Sequence, residues 1–226
     1  IDKLIKSLPF ELTIDQKTSL DEILNDMENK KRMNRLLQGD VGSGKTLVIL
    51  GAALLNYPNR SILMAPTTVL ATQLYNQALK LLPSFMKIEY LKKGLKNAKL
   101  EEANLIIGTH ALLYQELPKS TLIMIDEQHR FGSIQRQKID ELTRDENFRA
   151  HFLQFSATPI PRTLCLIESE LVSFSFLKQI PFTKHIKTLI IQNSGFNALL
   201  EHIKSQIKQN KQTIIVYPLV EDSQVS

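Results

Sequence analysis

Short apolar runs alternate with longer segments of helical periodicity along the 226-residue chain. Each run ends in polar or turn residues, which is typical of buried strands. The runs are RSILMAPT, NLIIGTH, STLIMIDE, HFLQFSAT and QTIIVYP. Strands that alternate with helices predict a mainly parallel sheet with helices on both faces. We therefore expect an α/β fold whose ligands bind at the carboxyl ends of the strands.

Two of the intervening segments have apolar residues at helical spacing. In LTIDQKTSLDEILNDMENK the residues Leu20, Ile23, Leu24 and Met27 fall on one face, and Thr13 is the predicted N-cap. The second segment is TVLATQLYNQALKLL.

The stretch LLQGDVGSGKTLVIL places three glycines and a lysine between two apolar runs. Its spacing, G-x-x-x-x-G-K-[ST], is that of a phosphate-binding loop, in which backbone amides and a helix N-terminus surround the phosphates. We expect Lys45 to bridge the β- and γ-phosphates and Thr46 to bind Mg²⁺. The predicted nucleotide-binding residues of this loop are Gly39, Asp40, Val41, Gly42, Ser43, Gly44, Lys45 and Thr46.

A second candidate site follows the apolar run of LIMIDEQHRFG. A carboxylate at the end of a buried strand is costly unless a cation accompanies it. We expect Asp126 to hold Mg²⁺ through bound water and Glu127 to orient the attacking water as a base. The position of His129 beside these carboxylates favours a coupling role. With Lys45, the two carboxylates form the predicted catalytic set.

Two further stretches carry weaker signals. In FSATPIPRTL, Ser156 and Thr158 end a strand and can hydrogen-bond to the carboxylates, while Arg162 is either a surface charge or a contact to an anion. In LPFELTIDQ, Phe10 either stacks on a base or packs in the core. The amide of Gln16 either pairs with adenine or lies exposed on its helix.

Composition sets limits without assigning a function. Hydrophobic content of 43% and charged content of 23% are those of an ordinary globular protein, and no apolar run is long enough for a membrane span. A net charge of +5 permits nucleic-acid binding. The local cluster of Lys92, Lys93, Lys96 and Lys99 is either a solvated loop or a contact to phosphates. The single Cys165 fits a packing role in a reducing, cytoplasmic setting.

Taken in order from about Leu8 to Asp222, the motifs resemble those of superfamily-two helicases. Within that superfamily they are most similar to the bacterial ATP-dependent DNA helicases that remodel stalled replication forks and Holliday junctions during recombination and repair. The resemblance rests on GDVGSGKT together with DEQHRFG. It implies a RecA-like phosphate-loop NTPase fold, the cofactors ATP and Mg²⁺, and branched or double-stranded DNA as a sequence-independent partner. It implies no membrane association and names no protein partner.

The resemblance also assigns roles to particular residues. Phe10 and Gln16 match the motif that reads adenine. Residues matching motifs that couple hydrolysis to movement are Gln128, His129, Ser156 and Thr158. Residues matching stretches on the DNA track are Thr67, Thr109, His110 and Arg162.

The same likeness predicts two domains. Residues 1–180 correspond to the ATP-binding lobe, and residues 181–226 to a linker and the truncated start of a second RecA-like lobe. There we expect strands over Thr188–Gln192 and Thr213–Tyr217 around a helix at about 197–208. The chain begins with Ile and has no arginine after Arg162. We therefore expect a piece of a longer bacterial cytoplasmic enzyme that binds nucleotide but lacks turnover in isolation.

Two other interpretations stay open, and a third is disfavoured. The transcription-repair coupling translocases share SATPIPRTL but usually have Glu where Gln128 stands. A nucleotide-binding module without turnover fits the loop alone. A different phosphate-loop enzyme, such as a nucleotide kinase, lacks support because it would need an arginine-rich lid rather than DEQH and SAT at successive strand ends.

Overall fold

Seven parallel strands form one sheet. The computed structural model describes residues 11–29, 31–91, 100–126, 134–135, 138–139, 141, 144–145, 148–157, 172–179, 187–192 and 195–216. The chain divides into two units, Ile1–Thr183, which contains the sheet, and Lys184–Ser226.

The strands of the first unit are short and mostly buried. Their bounds are β1 Asn34–Gly39, β2 Ser61–Ala65, β3 Ile88–Leu91, β4 Leu105–Thr109, β5 Leu122–Asp126, β8 His151–Ser156 and β9 Ser173–Leu177. A separate antiparallel pair is formed by β6 Arg144–Asp145 and β7 Phe148–Arg149. The strands of the sheet lie in the order β3-β4-β2-β5-β8-β1-β9. Strand β1, which leads into the phosphate loop, therefore lies between β8 and the edge strand β9.

The described part of this unit includes the helices α1 Ile14–Glu28, α2 Lys45–Leu55 and α3 Thr68–Leu81. Short 3₁₀ turns occupy Leu100–Glu102 and His110–Tyr114. Apolar residues on the two faces of the sheet form two separate core clusters, as expected where both faces of a parallel sheet are covered. In the described ranges, no helix is long and apolar enough to cross a membrane.

The expected parallel α/β fold is confirmed, and the predicted strands of the first unit appear at β2, β4, β5 and β8. Helix α1 begins after Thr13, whose hydroxyl accepts from the amide of Gln16 in a capping box. The sequence reading missed β3 and β9. In SFSFL the buried residues are Ser175 and Leu177, whereas Phe176 is 45% exposed, so the apolar pattern does not mark the buried face of this edge strand.

In the second unit the helix is confirmed as α4, Phe196–Lys208. The two strands predicted beside it are wrong for the residues described there, since 188–192 and 213–216 have no strand conformation. A strand needs a hydrogen-bonded neighbour, and here apolar side chains lie in solvent, with Ile190 97% and Ile214 86% exposed. That this unit begins a RecA-like lobe stays a prediction.

Candidate nucleotide-binding site

Candidate residues from three motifs meet at the carboxyl ends of neighbouring strands. The phosphate loop follows β1, Asp126 ends β5, and Ser156 ends β8, which lies between them. The register pairs Gln38 with Ser156 and Asp126 with Phe155. With neighbouring strands about 4.8 Å apart, the start of the loop and Asp126 are separated by about 10 Å. A phosphate chain with its cation fits a gap of that size.

The loop has the backbone shape that its glycines allow. Gly42 and Gly44 have φ angles of 88° and 81°, in the left-handed region that side chains disfavour. Gly44 is the N-cap of α2 and offers no side chain of its own. The first amides of a helix have no acceptor within the helix, and they carry the positive end of its dipole. This end of α2 is therefore suited to an anion.

Lys45 lies across its own loop. Its Nζ donates to the carbonyl oxygens of Gly39 at 2.5 Å and of Asp40 at 3.0 Å. The Asp40 carboxylate in turn accepts from the amide of Val41 at 2.8 Å. A phosphate bound in the loop would compete with these carbonyls for the ammonium group, so Lys45 has a structural contact as well as its predicted role.

Gln16 is buried against the phosphate loop. Its side chain is 2% exposed, its Oε1 accepts from the amide of Thr13 at 3.0 Å, and its Nε2 donates to the carbonyl of Ser43 at 2.9 Å. A Cβ added to Gly44 would meet that Nε2. The alternative that Gln16 lies exposed is therefore wrong. Its pairing with adenine stays a prediction.

A buried arginine fastens α1 to the sheet. Arg35 on β1 forms ion pairs at 2.8 Å with Glu22 and at 2.8 Å with Asp26. It also donates to Ser175 Oγ at 2.7 Å and to the carbonyl of Phe174 at 3.2 Å on β9. These bonds hold the helix that carries Gln16 beside β1 and β9. Sequence reasoning missed Arg35, although a lone arginine inside the run NRLLQ was the available signal.

Two predicted site residues, Asp126 and Ser156, are the last residues of β5 and β8. Ser156 is 3% exposed, and Asp126 is partly exposed at the end of its strand. Phe10, Glu127, Gln128, His129, Thr158 and Arg162, like Cys165 and the lysines of 92–99, lie outside the described residues. Their assignments stay predictions.

Three of the four DNA-track candidates, Thr67, Thr109 and His110, lie at the other half of the same sheet edge. Thr67 follows β2 and caps α3 by accepting from the amide of Leu70 at 3.2 Å. Thr109 ends β4 and accepts from the amide of Ala111 at 3.4 Å. Because β2 and β4 are neighbours, these residues form one surface. In the sheet, β2 is three strands and β4 four strands away from β1, which leads into the phosphate loop. Each hydroxyl uses a lone pair in capping and keeps its proton for another partner.

His110 begins the 3₁₀ turn after β4. Burial lowers its pKa below the ordinary value of 6.5, so the imidazole is neutral at pH 7. A neutral ring is a weaker partner for DNA phosphates than a cation would be. The predicted DNA contact at this position would accordingly be a hydrogen bond.

The residues present fit Mg-ATP. The buried hydroxyl of Ser43 has no hydrogen-bond partner within the described part of the chain, which leaves a donor for a phosphate or a bound water. No group of three or more His, Cys, Asp or Glu side chains suited to a metal occurs among the described residues. Mg²⁺ is usually held by one or two carboxylates, water and substrate phosphates, and Thr46 with Asp126 is such a set.

A family comparison agrees with this fold and edge. Residues 13–167 match the DEAD/DEAH box helicase family. The match covers more than half of the chain, and the chain belongs to this family.

Curated relatives show which helicases of this family the chain is similar to. The chain is 44% identical over 227 residues to the ATP-dependent DNA helicase RecG of Helicobacter pylori, covering 97% of this chain and 36% of the relative. It is 36% identical over 240 residues to RecG of Thermotoga maritima, covering 98% of this chain and 30% of the relative. The expected likeness to bacterial ATP-dependent DNA helicases is thus confirmed as a likeness to RecG. The chain spans about a third of the length of these relatives.

Solved structures give the same result. A structure of RecG bound to a three-way DNA junction superposes with a TM-score of 0.78 at 34% identity, covering 97% of this chain and 31% of that one. A DEAD box protein from Methanococcus jannaschii has a TM-score of 0.54 at 23% identity, covering 84% of this chain and 56% of that one. The second likeness shows the fold alone, and together they confirm the RecA-like fold of the first unit.

Proposed function

We propose that the chain is the ATP-binding motor unit of a RecG-type DNA helicase, which hydrolyses Mg-ATP and moves on branched or double-stranded DNA. The observation that carries the proposal is the meeting of the phosphate loop, Asp126 and Ser156 at one sheet edge, in a chain whose relatives are RecG helicases. The substrate, stalled forks and Holliday junctions in the bacterial cytoplasm, is part of the same proposal.

The geometry of the loop supports the nucleotide half of the proposal. Lys45, which now donates to the carbonyls of Gly39 and Asp40, would bind the β- and γ-phosphates, and Thr46 with Asp126 would hold the cation. Mg²⁺ supplies neutralisation of the charge on the phosphates. Glu127 orients water for attack on the γ-phosphate. Gln16, buried against Ser43, keeps the loop in place while the base is bound.

The DNA half rests on the surface formed by the ends of β2 and β4. A motor must step past any base, so its contacts should go to phosphates and carry no sequence preference. Thr67 and Thr109, which follow β2 and end β4, would donate such bonds. Affinity for DNA should then fall linearly with salt concentration on logarithmic axes.

The test is ATP turnover by the full-length protein with no DNA, with linear duplex and with a forked duplex. We expect forked DNA to stimulate phosphate release. At ATP concentrations near the wild-type Kd, Lys45→Ala should reduce phosphate release about tenfold or more, because a lost charge-assisted bond weakens nucleotide binding by about tenfold to a hundredfold. Lys80→Ala is the matched control, since Lys80 is an exposed lysine near the far end of α3. A rate of phosphate release that DNA does not stimulate, or that Lys45→Ala leaves at the wild-type value, would refute the proposal.

The transcription-repair coupling translocases remain the alternative within the same superfamily. They are separated by substrate. Displacement of stalled RNA polymerase without activity on protein-free forks would favour that alternative.

A further inference from the structure

The carboxylate of Asp15 binds the end of β9. Its Oδ2 accepts from the backbone amides of Lys178 and Gln179, both at 2.8 Å. Lys178 and Gln179 follow the last residue of β9 and are exposed. Two charge-assisted bonds to consecutive amides fix the direction in which the chain leaves the strand.

Asp15 is also adjacent to the contact between α1 and the phosphate loop. It lies in the first turn of α1, directly before Gln16, whose Nε2 donates to the carbonyl of Ser43. A single helical turn therefore binds the end of β9 through Asp15 and the phosphate loop through Gln16. A shift of the loop that moves Gln16 must also move Asp15.

The end of β9 also contacts Gly39, the first residue of the loop, as its neighbour in the sheet. A Cβ built on Gly39 would lie 2.9 Å from Cβ of Leu177 and 3.3 Å from its carbonyl oxygen. Further along β9, Ser175 accepts from Arg35 and donates to Glu22 of α1. The phosphate loop, the first turn of α1 and the end of β9 thus each contact the other two. Asp15 makes the contact between the turn of α1 and the end of β9.

We propose that Asp15 is a positioning residue that passes the nucleotide state of the phosphate loop to the segment leaving β9, through its bonds to the amides of Lys178 and Gln179. The boundary between the two units follows shortly, after Thr183. The inference rests on the proposed function, because a coupling residue is needed only if the loop binds ATP to drive a movement.

This role is separable from stability. Lys178 and Gln179 are exposed at the end of an edge strand, so water can replace the carboxylate at their amides, and losing the two bonds should cost only part of the stability of the fold. Loss of Asp15 should therefore leave the fold intact while freeing the strand end. Thr13 and Gln16 keep the capping box without it, so the nucleotide contact should persist.

The experiment uses Asp15→Ala in the full-length protein. We expect ATP affinity within about twofold of wild type, since Gln16 still binds the loop. The ratio of DNA-stimulated to basal turnover should fall on the order of tenfold, as typical coupling energies give. Asp15→Asn should fall between, because its amide oxygen can accept both bonds without the charge. Asp21→Ala is the matched control, since Asp21 is exposed on the same helix.

Hydrogen exchange supplies a readout that a merely structural role would not move. In wild type, Mg-ATP should slow exchange of the Lys178 and Gln179 amides, and in Asp15→Ala that nucleotide dependence should vanish. Unchanged DNA stimulation in Asp15→Ala would overturn the inference. So would a parallel loss of ATP affinity and stimulation, which indicates general damage to α1. Failure of the wild type to hydrolyse ATP would instead overturn the proposed function.

Discussion

The most specific prediction concerns Gln16, because one substitution separates its two contacts. In Gln16→Glu, one carboxylate oxygen still accepts from the amide of Thr13, and Glu is a preferred residue at this position of a capping box. The other oxygen replaces Nε2 and faces the carbonyl of Ser43, 2.9 Å from the atom it replaces. A donor–acceptor bond becomes a contact between two acceptors, while the helix cap is kept.

The expected magnitude follows from those atoms. The lost bond contributes about 1 kcal/mol, and a buried carbonyl left without a donor costs about 1–3 kcal/mol more. Gln16 is 2% exposed, so water replaces the lost donor poorly. At the lower end, about 2 kcal/mol, nucleotide affinity falls roughly 30-fold, because the loop that Gln16 holds is the one that binds the phosphates.

The assay is titration of the chain with a fluorescent ATP analogue at fixed Mg²⁺, with urea unfolding measured in parallel. Thr18→Glu is the control, since it adds the same charge to an exposed position of α1. Gln16→Ala should lose the cap as well and be less stable than Gln16→Glu. Wild-type affinity in Gln16→Glu would refute the reasoning, because the contact with Ser43 would then have no part in holding the nucleotide-binding loop.

Three further predictions test other parts of the molecule. Burial lowers the pKa of His151 below 6.5, so protons bind the unfolded chain more tightly, and the free energy of unfolding should fall as pH drops below about 6.5. Urea unfolding at pH 7.5 and 5.5 checks this. His151→Asn should reduce the pH dependence of the free energy of unfolding, because asparagine keeps a hydrogen-bond acceptor but does not titrate. Arg35→Leu leaves two carboxylates of α1 without their cation, at a cost of about 3 kcal/mol. That figure is at the low end for a buried pair because the Glu22 side chain is 39% exposed, and equal unfolding midpoints would contradict it. Glu127→Gln in the full-length protein should bind ATP and barely hydrolyse it, since the amide has no basic lone pair. Near-normal single-turnover hydrolysis would show that another group is the base.

The sequence alone determined features that depend on neighbouring residues. The glycine spacing predicts the phosphate loop, and the structure gives it φ angles of 88° and 81° at Gly42 and Gly44. The N-cap at Thr13 and the apolar face of α1 were also readable, because capping and helical periodicity are set within a few residues. The parallel sheet followed from alternation of strands and helices, since parallel neighbours need a crossover between them.

Tertiary structure decided which distant groups meet. Nothing local in SFSFL shows that β9 lies beside β1, and that neighbour is what brings Leu177 against Gly39. The strands expected in the second unit illustrate the same limit, because apolar β-branched residues need a hydrogen-bonded neighbour to become a strand.

The roles of Gln16, Arg35 and Asp15 are likewise tertiary. Their partners lie 27 residues away for Gln16, up to 140 for Arg35 and 163–164 for Asp15. A polar side chain in a sequence shows what it can bond to, but only the folded backbone brings the partner within reach and removes the water that would otherwise take its place.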